Sequence, residues 1–268
     1  TVLLSWLCNS SQKQEISKFI FFRIFENTNM RKNGRKANEL RDIKIIKDFI
    51  SHPEGSVLVE FGQTKVICNA TIEDKVPNFL KGQNSGWVTA EYGMLPRSTN
   101  DRMRRESKSR QSGRTMEIQR LIGRSLRSAI NLEKLGEKTI TVDCDVIQAD
   151  GGTRTASITG GFVALCLALR TKDDESFYSS DVIDSFTGSV SIGKVDGEIL
   201  LDLDYEEDSN AETDMNFIMN EKEEFVEIQG TAEKGSFSKD ELDSMILLAS
   251  KGIKNIIEIQ KKALNSYG

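Results

Sequence analysis

The chain has 268 residues, 38% of them hydrophobic and 29% charged, with a net charge of −5. These proportions suit a globular protein with one large core or two modest ones, exclude a disordered chain, and leave no apolar run long enough to span a membrane. One histidine (His52, before Pro53) and four scattered cysteines (Cys8, Cys68, Cys144, Cys166) offer no zinc-ligand spacing and no evident Ser–His or Cys–His partnership. The cysteines read as reduced, buried thiols of a cytoplasmic protein, and the chemistry falls to carboxylates, arginines and backbone amides.

Residues 1–29 stand apart. Val2 to Cys8 is a short apolar run with no basic segment before it and no small-residue cleavage site, and Met30 heads Arg31-Lys32-Asn33-Gly34-Arg35. Met30 is the expected functional start, with 1–29 a leader or an over-extended reading frame and 30–268 a single catalytic domain.

From there, Asp42 to Ile50 and Gly55 to Phe61 read as strands, and Gly62-Gln63 turns the chain into a partner strand from Thr64 to Ile72. Trp87 to Tyr92 is a further strand. Met116, Ile118, Leu121, Ile122, Leu126 and Ile130 recur at helical spacing within Thr115 to Leu132. Thr139 to Gln148 reads as a buried strand, and Thr155 to Arg170, small and apolar all round, as a buried helix. The second half repeats the order: Gly188 to Val195 and Glu198 to Asp204 about Asp196-Gly197, Asp214 to Met219 and Phe225 to Gly230, then a closing helix from Lys239 to Asn265. Sheet, helix, sheet, helix without a proline-rich linker predicts two βα halves packed as one α+β domain.

Charge is unevenly spread. Arg97 to Arg127 holds ten Lys/Arg against three acids, and Asp196 to Glu227 holds thirteen acids against one Lys. One basic and one acidic surface can attract a polyanion and hold a cation, or be two solvated faces that balance; charge alone leaves both open.

Long strings then carry a family likeness. Gly55-Ser56-Val57-Leu58-Val59-Glu60-Phe61-Gly62, the segment from Gly86 to Arg97, Gly113-Arg114-Thr115-Met116-Glu117, Gln148-Ala149-Asp150-Gly151-Gly152-Thr153-Arg154-Thr155 and Glu207-Asp208-Ser209-Asn210-Ala211-Glu212-Thr213-Asp214 resemble the ribonuclease PH family, in order, from Met30 to about Ala263. The resemblance implies a ribonuclease PH-like fold (ribosomal protein S5 domain 2-like) and phosphorolytic trimming of the 3′ ends of tRNA precursors. It also implies action on other RNA 3′ ends, a homohexamer built as a trimer of dimers, and a divalent cation, Mg²⁺ or Mn²⁺, with inorganic phosphate as co-substrate.

Each site has a physical reading beside the implied one. Gly151-Gly152 before a helix can present backbone N–H groups to an anion, with Thr153 adding a hydroxyl and Arg154 a planar fork, or can simply join strand to helix. The resemblance selects Arg114, Gly152, Thr153 and Arg154 as the phosphate site. Asp208 and Asp214, six apart in a hairpin or tight loop, can bind the cation, and one of them, Asp208 first, can instead protonate the departing 3′-hydroxyl. Asp202, Asp204, Glu206 and Glu212 are expected to be solvated or to stiffen the site. In the basic segment the resemblance assigns Arg97, Arg102 and Arg105 to RNA, in a loop one residue shorter than usual that gains Arg104. Arg120, Arg124 and Arg127 face RNA, pair with Glu117 or are solvated, and Phe79 is the candidate for stacking on a base.

The expected protein is therefore a phosphorolytic 3′→5′ exoribonuclease. Three rivals are a non-catalytic RNA-binding subunit of an exosome-like ring, a hydrolase releasing nucleoside monophosphates, and a half of polynucleotide phosphorylase.

Overall fold

A computed structural model describes residues 31–106, 111–171, 174–178 and 182–265. The expected leader, Met30 and Cys8 lie outside the described residues.

Strands β1 (Ile43–Lys47), β2 (Gly55–Phe61) and β3 (Thr64–Glu73) form an antiparallel meander that turns between β2 and β3 at Gly62, whose φ is 56°. Strand β4 (Trp87–Met94) runs parallel to β5 (Thr139–Gln148), which pairs antiparallel with β3, giving the order β1-β2-β3-β5-β4. A parallel neighbour needs a crossover, supplied here by helix α1 (Gly113–Arg127) and the single turn α2 (Leu132–Leu135). Strand alternation sends Val57, Val59, Val66, Cys68, Val142 and Cys144 to one face, all buried.

Helix α3 (Thr153–Ala168) lies on that face and also touches β8 (Thr187–Val195) of the second sheet. Contact on both sides explains why every residue from Thr155 to Ala168 is buried and why the helix has no polar face. The second sheet is antiparallel, in the order β11-β10-β8-β9, with β9 at Glu198–Leu201, β10 at Thr213–Asn220 and β11 at Phe225–Ala232. Helix α5 (Lys239–Asn265) closes over β8, β9 and β10. Two short strands, β6 (Arg170–Thr171) and β7 (Asp174–Tyr178), pair antiparallel between the halves. One continuous cluster of buried apolar side chains contains Val57 of the first half and Leu264 of the second.

Three elements depart from the sequence expectation. β1 stops at Lys47 because Asp48 adopts φ 53°, outside the strand region. α1 ends at Arg127, and Ile130 instead forms a β-bridge with Ile183. The strand expected to reach Asp204 ends at Leu201, where Asp202 turns at φ 55°, and a helix follows: α4 (Tyr205–Asn210). Asp204 caps α4 through a reciprocal box, its carboxylate accepting from the Glu207 amide (3.0 Å) while Glu207 Oε2 accepts from the Asp204 amide (3.0 Å). Cys68, Cys144 and Cys166 are buried free thiols, as expected. Among the described residues no helix is long and apolar enough to cross a membrane.

Candidate active site

β5 delivers the chain into Ala149-Asp150-Gly151-Gly152, and α3 begins at Thr153, two residues earlier than expected. Gly151 and Gly152 take φ of 73° and 61°, where a side chain is disfavoured. A Cβ on Gly151 would lie 2.6 Å from the Leu203 carbonyl oxygen, so the loop also needs glycine to approach the second half of the chain. Turned this way, the loop's carbonyls point inward. Arg41 Nη1 donates to the Asp150 oxygen (2.5 Å), and the Thr64 hydroxyl donates to the Gly151 oxygen (2.6 Å) while accepting from the Asp150 amide (2.9 Å).

The amides face the other way. None of the N–H groups from Gly151 to Thr155 meets an acceptor among the described residues, and Ala156 is the first to donate, to the Gly152 oxygen (3.0 Å). Unpaired donors at the positive end of a helix make an anion cradle. Arg154 Nη1 reaches Gln229 Oε1 at 3.4 Å, and Gln229 in turn donates to Glu227 Oε1 (3.0 Å). Arg114 occupies the first turn of α1, behind a Ser112 cap that accepts from the Thr115 amide (3.1 Å). The Thr153 hydroxyl lies 2.8 Å from that of Tyr92. Burial raises the Tyr92 pKa, opposed by the Thr153 hydrogen bond and by the charges of Arg114 and Arg154, so both guanidinium groups are felt at the loop.

The two expected aspartates arrive on different elements, not on one hairpin. Asp208 stands on α4 and Asp214 on β10, opposite Gly193 and Thr231. Burial, and then the charge of Asp208, push the Asp214 carboxyl from its ordinary 3.8 up to about 6, against the pull of Arg154. Burial also raises Asp208, opposed by Arg154, Arg114 and Arg41. Arg114, Arg154, Asp208 and Asp214 therefore share one electrostatic environment. Two half-buried acids that repel each other are relieved by a cation between them. No cluster of three or more His, Cys, Asp or Glu fit to hold a metal occurs among the described residues. Two carboxylates suit a cation such as Mg²⁺, which keeps waters and shares substrate phosphate oxygens rather than filling a protein cage.

The three arginines expected to meet RNA are not drawn into this cluster. Arg97, Arg102 and Arg105 are exposed; Arg97 donates to the Asn100 carbonyl (2.7 Å), and Arg102 and Arg105 have no side-chain partner among the described residues. Of the helical trio, Arg120 is exposed, Arg124 pairs with Glu227 (2.5 Å), and Arg127 stacks on Trp87 (4.3 Å to the ring centre) and donates to the Val88 carbonyl (2.7 Å). None of these contacts involves Glu117; of the alternatives for the trio, Arg120 is solvated, and Arg124 and Arg127 contact β11 and β4. Phe79 is 61% exposed and meets Trp87 edge-on at 5.4 Å.

Sequence reasoning missed Arg41, Thr64, Tyr92 and Gln229. It also left Asp202 either solvated or stiffening; the carboxylate is wholly buried and gripped by Arg41 (Nε to Oδ2 3.0 Å, Nη2 to Oδ1 2.7 Å), so the solvated reading is corrected. One local signal for α4 was legible: Asp204 and Glu207 have the spacing of a capping box.

Two family models match the chain, 3′ exoribonuclease family domain 1 over residues 39–170 and domain 2 over residues 185–252. The chain belongs to the 3′ exoribonuclease family. Ribonuclease PH of Bacillus subtilis (strain 168) is 58% identical over 238 residues, covering 88% of this chain and 97% of that protein. Family membership at this identity makes the chain a phosphate-dependent 3′→5′ exoribonuclease, an enzyme of the nucleotidyltransferase type. Among solved structures, the Archaeoglobus fulgidus exosome with RNA bound to the active site superposes with a TM-score of 0.73 at 20% identity, covering 91% of this chain and 97% of that one. Rice Rrp46 superposes with a TM-score of 0.71 at 16% identity, covering 87% and 100%. Both likenesses establish the shared fold of the exoribonuclease family.

Proposed function

We propose that the chain trims the 3′ ends of tRNA precursors, and of other RNA, by phosphorolysis at the site formed by Arg114, Gly152, Thr153, Arg154, Asp208 and Asp214. The observation that carries this reading is the meeting of an anion cradle with two guanidinium groups and two mutually repelling carboxylates.

The amides from Gly152 to Thr155, the Thr153 hydroxyl and the two arginines hold inorganic phosphate against the repulsion of the RNA phosphate. A phosphate oxygen attacks the last phosphodiester, the bond to the 3′-oxygen of the preceding ribose breaks, and RNA(n+1) plus phosphate becomes RNA(n) plus a nucleoside diphosphate. The departing 3′-oxygen takes a proton, which one of Asp208 and Asp214 would donate in place of serving as a cation ligand; burial raises both carboxyls. Mg²⁺ (or Mn²⁺) held by Asp208 and Asp214 would offset negative charge on the reacting phosphorus. The bonds exchanged are of one kind, so the reverse addition of nucleotides from diphosphates accompanies trimming. Exposed Arg97, Arg102 and Arg105 are free to grip the RNA backbone without reading bases.

The same reading makes the working form a cytoplasmic homohexamer, and residues 30–268 one catalytic unit, a division supported by the core shared between the halves. The rival non-catalytic ring subunit expects loss of Arg154, Asp208 or Asp214, and the chain keeps all three.

The test is to incubate the protein with a 3′-extended tRNA, with and without phosphate, and identify the released nucleotide. Diphosphates only in the presence of phosphate are expected; monophosphates released without phosphate would overturn the reading.

A further inference from the structure

A single buried guanidinium links the glycine loop to the helix that carries Asp208. Arg41 is 8% exposed, and each of its nitrogens has a task. Nε and Nη2 fork onto the Asp202 carboxylate, Nη1 donates to the Asp150 carbonyl, and the Arg41 amide donates to Asp202 Oδ2 (2.8 Å). Asp202 holds a left-handed backbone (φ 55°) that L side chains rarely adopt, two residues before the cap of α4. Arg31 and Arg35 bind the Asp202 carbonyl (3.1 and 2.9 Å) and also reach Glu207, the other half of the capping box. A buried ion pair of this kind adds little net stability, which directs attention to the geometry it enforces.

That geometry concerns the cradle. Arg41 and Thr64 donate to the inward carbonyls of Asp150 and Gly151, and because each peptide is planar this turns the following amides, those of Gly151 and Gly152, the other way, continuous with the unpaired amides of the first turn of α3. A Cβ on Gly152 would lie 2.9 Å from Arg41 Nη2, so the guanidinium forms the floor of the loop. We infer that Arg41, Thr64 and Asp202 are positioning residues: they fix the glycine loop relative to α4 and so set the affinity for phosphate without touching it. The inference rests on the phosphate site proposed above.

Thr64 offers the cleanest test, because it is fully buried and valine copies its shape without its hydroxyl. Steady-state kinetics in phosphate and in RNA would be compared for Thr64→Val, Thr64→Ser, Arg41→Lys and, as reference, Arg154→Ala, with thermal unfolding recorded for each. Thr64→Val leaves the Asp150 amide without its acceptor and the Gly151 carbonyl with only the long 3.5 Å contact from Arg41 Nη1, and should raise the phosphate KM about tenfold. The RNA KM and kcat should stay within about twofold. Thr64→Ser, which keeps the hydroxyl, should remain close to the parent enzyme. Arg41→Lys keeps the charge but cannot span both Asp202 and the Asp150 carbonyl, and should raise the phosphate KM further, by about thirtyfold. If Arg154→Ala raises the phosphate KM while Thr64→Val does not, the inference is overturned and the site stands. Equal losses in Thr64→Val and Thr64→Ser would also overturn it, since the methyl and not the hydroxyl would then matter. An Arg154→Ala enzyme with an unchanged phosphate KM would overturn the site itself, and the inference with it.

Discussion

The glycine loop and the basic loop both bring arginines to an RNA-processing enzyme, and they are built in opposite ways. Around Gly151 and Gly152 the carbonyls and functional side chains are held from below while the amides stay unpaired: Arg41, Thr64, Tyr92 and Gln229 fix the backbone and the functional side chains within a shell that is largely buried. Arg97, Arg102 and Arg105 stand in solvent on a segment without regular structure. On the ligands proposed for the two loops, the difference has a physical reason. Inorganic phosphate is small and must be held at one distance from a reacting phosphorus, which requires preorganised donors. An RNA backbone of any sequence needs positive charge in roughly the right place, which exposed, rotatable side chains supply.

If the two regions divide the labour this way, substitutions should separate chemistry, phosphate affinity and RNA affinity. The largest effect belongs to the carboxylates. Asp208→Asn or Asp214→Asn should lower kcat about a thousandfold, since each removes a charge aimed at the reacting centre, while RNA binding measured by gel shift persists. Arg154→Ala comes next: its phosphate KM should rise about thirtyfold through loss of a charged hydrogen-bond donor, with RNA affinity almost unchanged. A parallel loss of RNA affinity would erase the distinction between the loops.

Much of this contrast was legible in the sequence, and the reason is local. Alternation, turn glycines and the apolar length of α3 depend on residues close together in the chain, so β2, β5, β11 and the helices α3 and α5 fall near their expected places. The glycine loop and the aspartate pair were legible as chemistry because their residue types are the ones phosphate and cations need. Arg41 and Asp202 are separated by 161 positions, and nothing in either neighbourhood marks the partner; only the fold makes them a pair. Asp202 also broke the strand expectation, because a left-handed turn at a non-glycine residue opposes local preference and is held by a distant guanidinium.

The pH response sharpens the carboxylate side of the comparison. Asp214 is raised from 3.8 to about 6, so in the ion-free protein the neutral form is the stabilising one. Its contribution is complete below pH 4 and is lost as pH rises through about 6. Cation binding has the opposite sign, because it needs the ionised pair. Thermal unfolding with and without Mg²⁺ should therefore show stabilisation by the ion that is absent at pH 5 and grows through pH 6, with activity falling about tenfold per pH unit below that range. An ion effect independent of pH would separate Asp214 from the metal site.

On the basic loop, replacing Arg97, Arg102 and Arg105 together with Ala should weaken RNA binding about tenfold at moderate salt and reduce the salt slope by roughly 0.7 for each RNA phosphate that is no longer neutralised. The phosphate KM should not move. A rise in that KM comparable to the fall in RNA affinity would mean that the exposed loop closes onto the phosphate.

The smallest effect tests how far the buried shell extends. Arg154 is steadied by Gln229, Gln229 by Glu227, and Glu227 by Arg124 of α1, a chain that ties Arg154 to the helix bearing Arg114. The first link is long, 3.4 Å, and Arg154 keeps its charge without it. Gln229→Leu should accordingly raise the phosphate KM only about threefold, within the range of one neutral hydrogen bond. Combining it with Arg154→Ala should add nothing, because the glutamine acts only through the arginine. Additive losses would show that Gln229 has a contact of its own with the substrate, and the shell around the glycine loop would then end at Thr153 and Tyr92.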